Sequence, residues 1–256
     1  MKIKKNTNNF RMETKATDKQ IKNWDVLYNL FNERPLHDYD FFNNLGLYMK
    51  TSELAKILFL DEVYRHILDI PGVILEFGVW WGQNLSVFEN LRAIYEPFNK
   101  NRRIVGFDTF TGYRSFSKLD KKNNVFSEGN YGVPEGYKSY LEKIISFHET
   151  NNVLENIKKH SLIQGDVIKT VPKFFKSNPE TIIALAYFDM GLYKPTKFTI
   201  GEIKPHLIPG SVIMFDELNE PESPGETIAF KEMFNDLKYS IKKSKFIQDR
   251  SIVIIN

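Results

Sequence analysis

The sequence predicts an α/β fold wound around a mostly parallel seven-stranded sheet, with an antiparallel hairpin at its C-terminal edge. Three observations carry this. From residue 73 onward, apolar runs of strand length alternate with segments of helical spacing, as parallel strands joined by crossover helices require. The runs are nearly continuous rather than alternating, which is how strands buried on both faces read. At the C-terminal end, Lys245-Phe246-Ile247 and Ile252-Val253-Ile254-Ile255 flank Gln248-Asp249-Arg250, a pattern suited to an antiparallel pair closing a sheet edge.

Residues 1 to 20 are polar and charged without periodicity and read as a flexible tail. Residues 21 to 50 carry Trp24, Tyr28, Phe31, Tyr39, Phe41, Phe42 and Tyr48, too many aromatics for disorder, and read as short helices capping the main domain. That domain is expected over 51 to 256. Thr51 or Ser52 can cap its first helix, with Glu53 in the favourable first turn and Leu54, Ile57, Leu58, Tyr64, Ile67 and Leu68 as the apolar face. Strands are expected at 73 to 77, 103 to 107, 161 to 164, 183 to 188 and 211 to 215, the last entered through a Pro209-Gly210 turn. A helix is expected over 225 to 240, where Phe230, Met233, Phe234, Leu237 and Ile241 keep helical spacing. Between the second and third strands, residues 113 to 145 begin with a long stretch rich in Ser, Asn, Gly and aromatics. Its place at the carboxyl end of a strand favours a lid insertion.

Composition limits the functional classes. A chain of 256 residues with 42% hydrophobic content is long enough for one good core. It has no cysteine, which removes disulfides and thiolate zinc sites and makes a cytoplasmic location the expectation. No apolar segment follows the charged start, and no run reaches the roughly 18 apolar residues of a membrane span. The net charge of +3 is dispersed without a basic stripe, so neither nucleic acid nor membrane is an expected partner. The aromatic cap is able to cover a neighbouring copy as well as its own domain, which would make a homo-oligomer.

The run Gly72-Val73-Ile74-Leu75-Glu76-Phe77-Gly78-Val79-Trp80-Trp81-Gly82 reads as a nucleotide-binding strand and turn, with a helix opening near Asn84. Trp80 stands where a dinucleotide pattern would have its second glycine, which disfavours a pyrophosphate, and Glu76 suits a cationic ligand better than an anionic one. Asp108, about 30 residues on at the end of the second strand, suits the two hydroxyls of a ribose. Gly165-Asp166 follows the third strand, where Asp166 could meet an adenine amino group or cap the next helix equally well. Asp189 and the pair Asp216-Glu217 end two further strands. Three carboxylates in one cleft repel unless a cation offsets them, and a hard divalent ion such as Mg2+ is a natural occupant. The alternative is that Asp189 works alone while Asp216 and Glu217 line the next loop. None of the histidines has metal-ligand spacing, and no serine sits in a nucleophile elbow.

Together, Gly72 to Gly82, Gly106 to Gly112, Asp189 to Thr196 and Pro209 to Glu217 resemble the Rossmann-like, class I S-adenosylmethionine-dependent methyltransferases. More narrowly they resemble the macrocin O-methyltransferase group of the tylosin pathway. The resemblance implies methyl transfer from S-adenosylmethionine to a hydroxyl of a sugar or sugar-containing metabolite, with magnesium assistance. It implies Glu76, Gly78 and Gly82 at the methionine end of the cofactor, Asp108 at the ribose and Asp166 near adenine. Val79, Asn84, Thr109, Phe110 and Gly165 would complete the cofactor contacts. Asp189 would be catalytic base and metal ligand, with Asp216 and Glu217 as further ligands. Two departures bear on the metal: Gly191 stands where the group has an acid, and Glu217 where it has an aspartate. Basic lid residues, Arg114, Lys118, Lys121 and Lys122, would suit a phosphorylated acceptor or simply face water. Two other functions compete with this reading. A nicotinamide-dependent oxidoreductase is disfavoured by Trp80, and a non-catalytic cofactor-binding module draws its support from Gly191.

Overall fold

The computed structural model describes residues 16–256. The expected tail lies mostly outside them, and the first helix, α1 (Asp18–Asn32), already begins within that stretch. Thr17 caps it in a reciprocal box with Gln20. α2 (Asp38–Asn43) and a 3-10 turn (Leu45–Tyr48) complete the aromatic segment. α3 (Thr51–Arg65) follows. Its N-cap is Lys50, which makes no side-chain cap bond, so the expected capping by Thr51 or Ser52 is corrected: both lie inside the first turn. Its buried face is Phe59, Leu60, Val63 and Tyr64, whereas Leu54 and Leu58 are exposed.

The domain then alternates. β1 (Val73–Phe77), α4 (Gln83–Tyr95), β2 (Ile104–Asp108), α5 (Tyr137–Thr150), β3 (His160–Gln164), α6 (Val167–Ser177), β4 (Ile183–Phe188) and α7 (Tyr193–Ile203) follow in order. They are succeeded by β5 (Leu207–Phe215), α8 (Pro224–Met233), β6 (Tyr239–Lys243) and β7 (Ser251–Ile255). One seven-stranded sheet has the order β3-β2-β1-β4-β5-β7-β6, with β1 to β5 parallel and β7 antiparallel to both neighbours. The doubly wound, Rossmann-like architecture is as the alternation of apolar runs predicts.

Strand residues alternate between two cores. Val73, Leu75 and Phe77 of β1 pack with α6, α7 and α8, while Ile74 packs with α3, α4 and α5. Both faces are therefore buried, which explains why the central strands carry so few polar residues.

Two boundaries differ from expectation. Pro209 and Gly210 lie within β5 rather than before it. Ser211 bridges the irregularity, its hydroxyl accepting from the Ile208 N–H at 2.9 Å and donating to the Ile183 carbonyl at 2.7 Å. The expected helix over 225 to 240 ends at Met233, and the hairpin's first strand is 239 to 243 rather than 245 to 247. Phe234 and Leu237 still pack into the core from a non-helical connection, so burial preserved their spacing without preserving the helix. β6 is an exposed edge bearing Lys242 and Lys243, charges that discourage further strand addition. Among the described residues no helix is long and apolar enough to cross a membrane.

Candidate active site

The strand order reverses between β1 and β4, so the connections leaving their carboxyl ends diverge and open a crevice. A cavity of about 210 Å³ occupies it. Of the residues expected at a cofactor, Gly78, Asp108, Thr109, Gly165 and Asp166 line this cavity, as do Asp189, Asp216 and Glu217. Glu76, Val79, Gly82, Asn84 and Phe110 are not in its wall. Phe110 belongs to the core instead.

The glycine turn is built by close packing. Gly78 has φ +97°, and a Cβ there would lie 2.0 Å from the Asp189 carbonyl oxygen, because the ends of β1 and β4 converge. Gly82 is left-handed too, and a Cβ there would meet Leu141 of α5 at 2.4 Å, so this glycine marks where α5 comes close to the turn. Asp108 holds the turn from β2. Its Oδ2 accepts the N–H groups of Val79 and Trp80 at 2.7 and 2.8 Å, and its Oδ1 accepts that of Phe110 at 2.6 Å. Burial raises this carboxyl above its ordinary value, and the three donors oppose that rise. With three acceptor directions spent on backbone, a ribose would share this carboxylate with the turn.

Glu76 is fully buried on β1. Its Oε1 accepts from Asn84 Nδ2 at 2.8 Å, and its Oε2 has no partner. Burial pushes this carboxyl well above the ordinary range. Asp166 caps α6, accepting the Ile168 N–H at 2.9 Å, and its other oxygen accepts from Ser115 in the lid at 3.2 Å. The capping alternative is thus realised, and the same residue also faces the cavity.

The stretch between β2 and α5, expected to be a lid, forms an aromatic layer. Tyr113 stacks on Phe126 with ring centroids 5.4 Å apart, and Tyr131 meets the Trp80 ring edge-on at 5.2 Å. A bridge pairs Thr111 with Gly132, and from Tyr137 the stretch becomes α5. Trp80, Ser115 and Tyr131 all have positive φ, and all three line the cavity. Such strain costs about 1–3 kcal/mol per residue and collects at functional sites. Asp120 ties this stretch to α7: its Oδ2 accepts the Ser117 N–H at 2.6 Å and its Oδ1 accepts the Tyr193 N–H, at the start of α7, at 2.7 Å. Several basic lid residues are already engaged, Arg114 with Glu128, Lys121 with Glu222, and Lys122 over the Phe116 ring.

The acids at the far end do not form a metal nest. Asp216 is ion-paired with Arg250, whose Nη1 also donates to the Asp216 carbonyl at 2.7 Å. Glu217 Oε2 accepts from the Ser223 hydroxyl at 2.6 Å. Among the described residues no three ligating side chains converge on one point. The set Asp189, Asp216 and Glu217 therefore does not fit the magnesium expected of it. Buried Glu226 braces the site, accepting the Gly191 and Glu217 N–H groups at 3.1 and 3.2 Å. Burial, with Asp216 nearby, pushes Glu226 up to about 8, and burial with Glu226 nearby does the same to Glu217.

Sequence reading missed Arg250, Glu226, Asp120 and the cavity-lining Lys56. Only for Arg250 was there a usable signal: pairing the last hairpin strand against the fifth strand would have set it opposite Asp216.

Comparison with known structures gives the chain 35% identity to CalS11, a calicheamicin methyltransferase, with a TM-score of 0.88 over 98% of each chain. A second structure, the apo form of CalS11 described as a TDP-rhamnose 3'-O-methyltransferase of calicheamicin biosynthesis, has 35% identity and a TM-score of 0.82. It covers 94% of this chain and 96% of its own. The O-methyltransferase NovP shares the fold, with a TM-score of 0.56 at 15% identity over 77% of this chain and 78% of its own. No family model matches, and no curated relative does.

Proposed function

Because the chain belongs to the class I S-adenosylmethionine-dependent O-methyltransferases, beside the bacterial secondary-metabolite enzymes just described rather than specifically the macrocin group, we propose a sugar-linked acceptor for it and a role for each residue of the cleft. The carrying observation is the occupation of the glycine turn. The Val79 and Trp80 N–H groups that would cradle a pyrophosphate already donate to Asp108. A dinucleotide is left without its anchor, whereas a phosphate-free sulfonium needs none. The cavity wall suits a cation as well, since Asp108, Asp166, Asp189, Asp216 and Glu217 outnumber Lys56, Arg114 and Arg250. Glu76 stands behind the turn, fully buried and outside the cavity wall, and braces Asn84 rather than meeting a ligand in the space described.

When bound, S-adenosylmethionine supplies a methyl group already activated on a sulfonium. The protein's work is to hold the acceptor oxygen in line with the carbon–sulfur bond and to keep water out. Asp108 and Asp166 hold the nucleoside end, and the aromatic layer of Tyr113, Phe126 and Tyr131 covers the acceptor. Asp189, half-buried at the end of β4, takes the hydroxyl proton as the oxygen bonds to carbon and the carbon–sulfur bond breaks. The finer proposal is a sugar still carried on a nucleoside diphosphate, the kind of acceptor after which the similar enzyme is described.

Calorimetry with S-adenosylmethionine, S-adenosylhomocysteine and NAD, followed by a methyl-transfer assay with TDP-rhamnose, tests this reading. We expect the two sulfur compounds to bind and NAD not to bind. Asp189→Ala should lower turnover about a hundredfold or more at saturating cofactor. Intact turnover in that variant would remove the assigned base.

A further inference from the structure

We propose that Arg250 supplies, from within the chain, the positive charge that a divalent cation would otherwise bring to Asp189 and Asp216, so that methyl transfer here needs no metal. The inference rests on the cleft being the reacting site. It grows from the mismatch between the acid set and magnesium.

Three independent observations point the same way. The first is register. β5 and β7 pair antiparallel with Phe215 opposite Ser251, which carries Arg250 across from Asp216. The guanidinium then engages both the carboxylate and the backbone carbonyl of Asp216, and it lines the cavity. Arg250 is itself held: its N–H donates to the Ile247 carbonyl at 3.2 Å, its carbonyl accepts from Ser244 at 2.9 Å, and Asp249 lies 3.2 Å from Nη1. A guanidinium never loses its charge, and its planar fork fixes the direction of its bonds.

The second is the loss of a ligand position. Gly191 stands where the resemblance implies an acid, and a side chain there would have to displace its neighbours. A Cβ there would lie 2.6 Å from the Phe126 ring and 2.7 Å from Glu217 Oε2, and the backbone is left-handed with φ +63°. The third is that Glu217 Oε2 is already engaged by the Ser223 hydroxyl at 2.6 Å, and among the described residues no three ligating side chains are placed to hold a metal ion. Magnesium demands a near-octahedral oxygen set at about 2.0–2.1 Å. To assemble one, the ion would have to break the Arg250 pair and free Glu217 together.

Arg250 is thus a positioning residue that acts through Asp216. With its charge in place, Asp216 orients the acceptor or Asp189 without repelling it, and Asp189 stays free to take the proton.

The test uses the whole chain loaded with S-adenosylhomocysteine, titrated with MgCl2 by calorimetry, and turnover of TDP-rhamnose before and after dialysis against a chelator. We expect no magnesium binding and unchanged turnover. Arg250→Ala should lower kcat about a hundredfold while S-adenosylhomocysteine affinity stays within about threefold, and Arg250→Lys should restore part of the rate. Magnesium binding to the loaded protein, turnover lost on chelation and restored by MgCl2, or unchanged kcat in Arg250→Ala would each overturn the proposal. Should Arg250→Ala fail to fold, the wild-type titration and Arg250→Lys still decide. The titration also needs no acceptor, so failure to methylate TDP-rhamnose would count against the acceptor assignment and leave this inference standing.

Discussion

Asp108 serves the chain's own backbone before any ligand arrives, and this sets what its replacement should do. In Asp108→Asn one oxygen becomes an NH2 group facing backbone donors, so at least one N–H of the turn loses its acceptor. Hydrogen bonds to a charged group contribute about 1.5–3 kcal/mol. Cofactor affinity should therefore fall about tenfold or more, together with the melting temperature, both measurable on one preparation by calorimetry and thermal denaturation. A residue that only touched ribose would lower affinity and leave the melt unchanged. At this scale, Asp108 and Asp189 were legible because strand periodicity alone puts them at carboxyl ends. Glu226 was not, since its role depends on three backbone N–H groups from two other segments meeting it in space. Glu76 was legible as a buried acid, but its distance from the cavity wall was not.

Among the elements, the lid and the helices behind it make separate predictions. Asp120 joins the lid to the start of α7, whose own N-cap, Leu192, offers no side-chain acceptor. Asp120→Ala should raise the acceptor KM about tenfold while leaving S-adenosylhomocysteine affinity nearly unchanged, a split that steady-state kinetics and calorimetry resolve.

Behind the site, Glu149 of α5 is buried against His160, 2.5 Å away, and Arg92, 3.3 Å away, and it accepts the Lys159 N–H at 2.6 Å. Burial alone would raise its carboxyl, but the His160 and Lys159 contacts outweigh that and hold it below the ordinary 4.5. A depressed carboxyl contributes stability that is complete above its unfolded pKa and is lost as pH falls through the folded value. Thermal melts should therefore drop as pH falls below about 4.5, and Glu149→Gln should flatten that drop while costing about 3–5 kcal/mol near neutrality. The misplaced hairpin strand belongs to this scale. Phe234 and Leu237 keep helical spacing and are packed into the core, so periodicity reports burial faithfully and chain conformation only indirectly.

For the molecule as a whole, the largest unexplained feature is the apolar N-terminal segment. α1 buries none of its residues, and Trp24, Tyr28, Leu30, Tyr39, Phe42 and Leu47 are exposed. Exposed apolar side chains in this number suit an association face, and we propose that a second copy of the chain covers them. Light scattering after size exclusion should give a mass above that of one chain, and Tyr28→Ser with Leu30→Ser should shift it toward the monomer. A single-chain mass for the parent protein would retire the idea. The fold was legible because strands buried on both faces write themselves as apolar runs. The composition of the N-terminal segment was legible too, but its surroundings were not, because exposed aromatics and buried ones look alike in a sequence.

The position of β7 bears on how this protein is made. β7 lies between β5 and β6, yet it is the later of the two hairpin strands to leave the ribosome. Until it arrives, β5 waits with Val212, Ile213 and Met214 along an open edge, a template on which two nascent chains could pair by mistake. Arg250, the partner of Asp216, arrives just ahead of the strand that closes this edge. A chain interrupted before β7 should accordingly be a chaperone client and a source of inclusion bodies, and expression yield should be sensitive to conditions that slow synthesis of the stretch carrying β7.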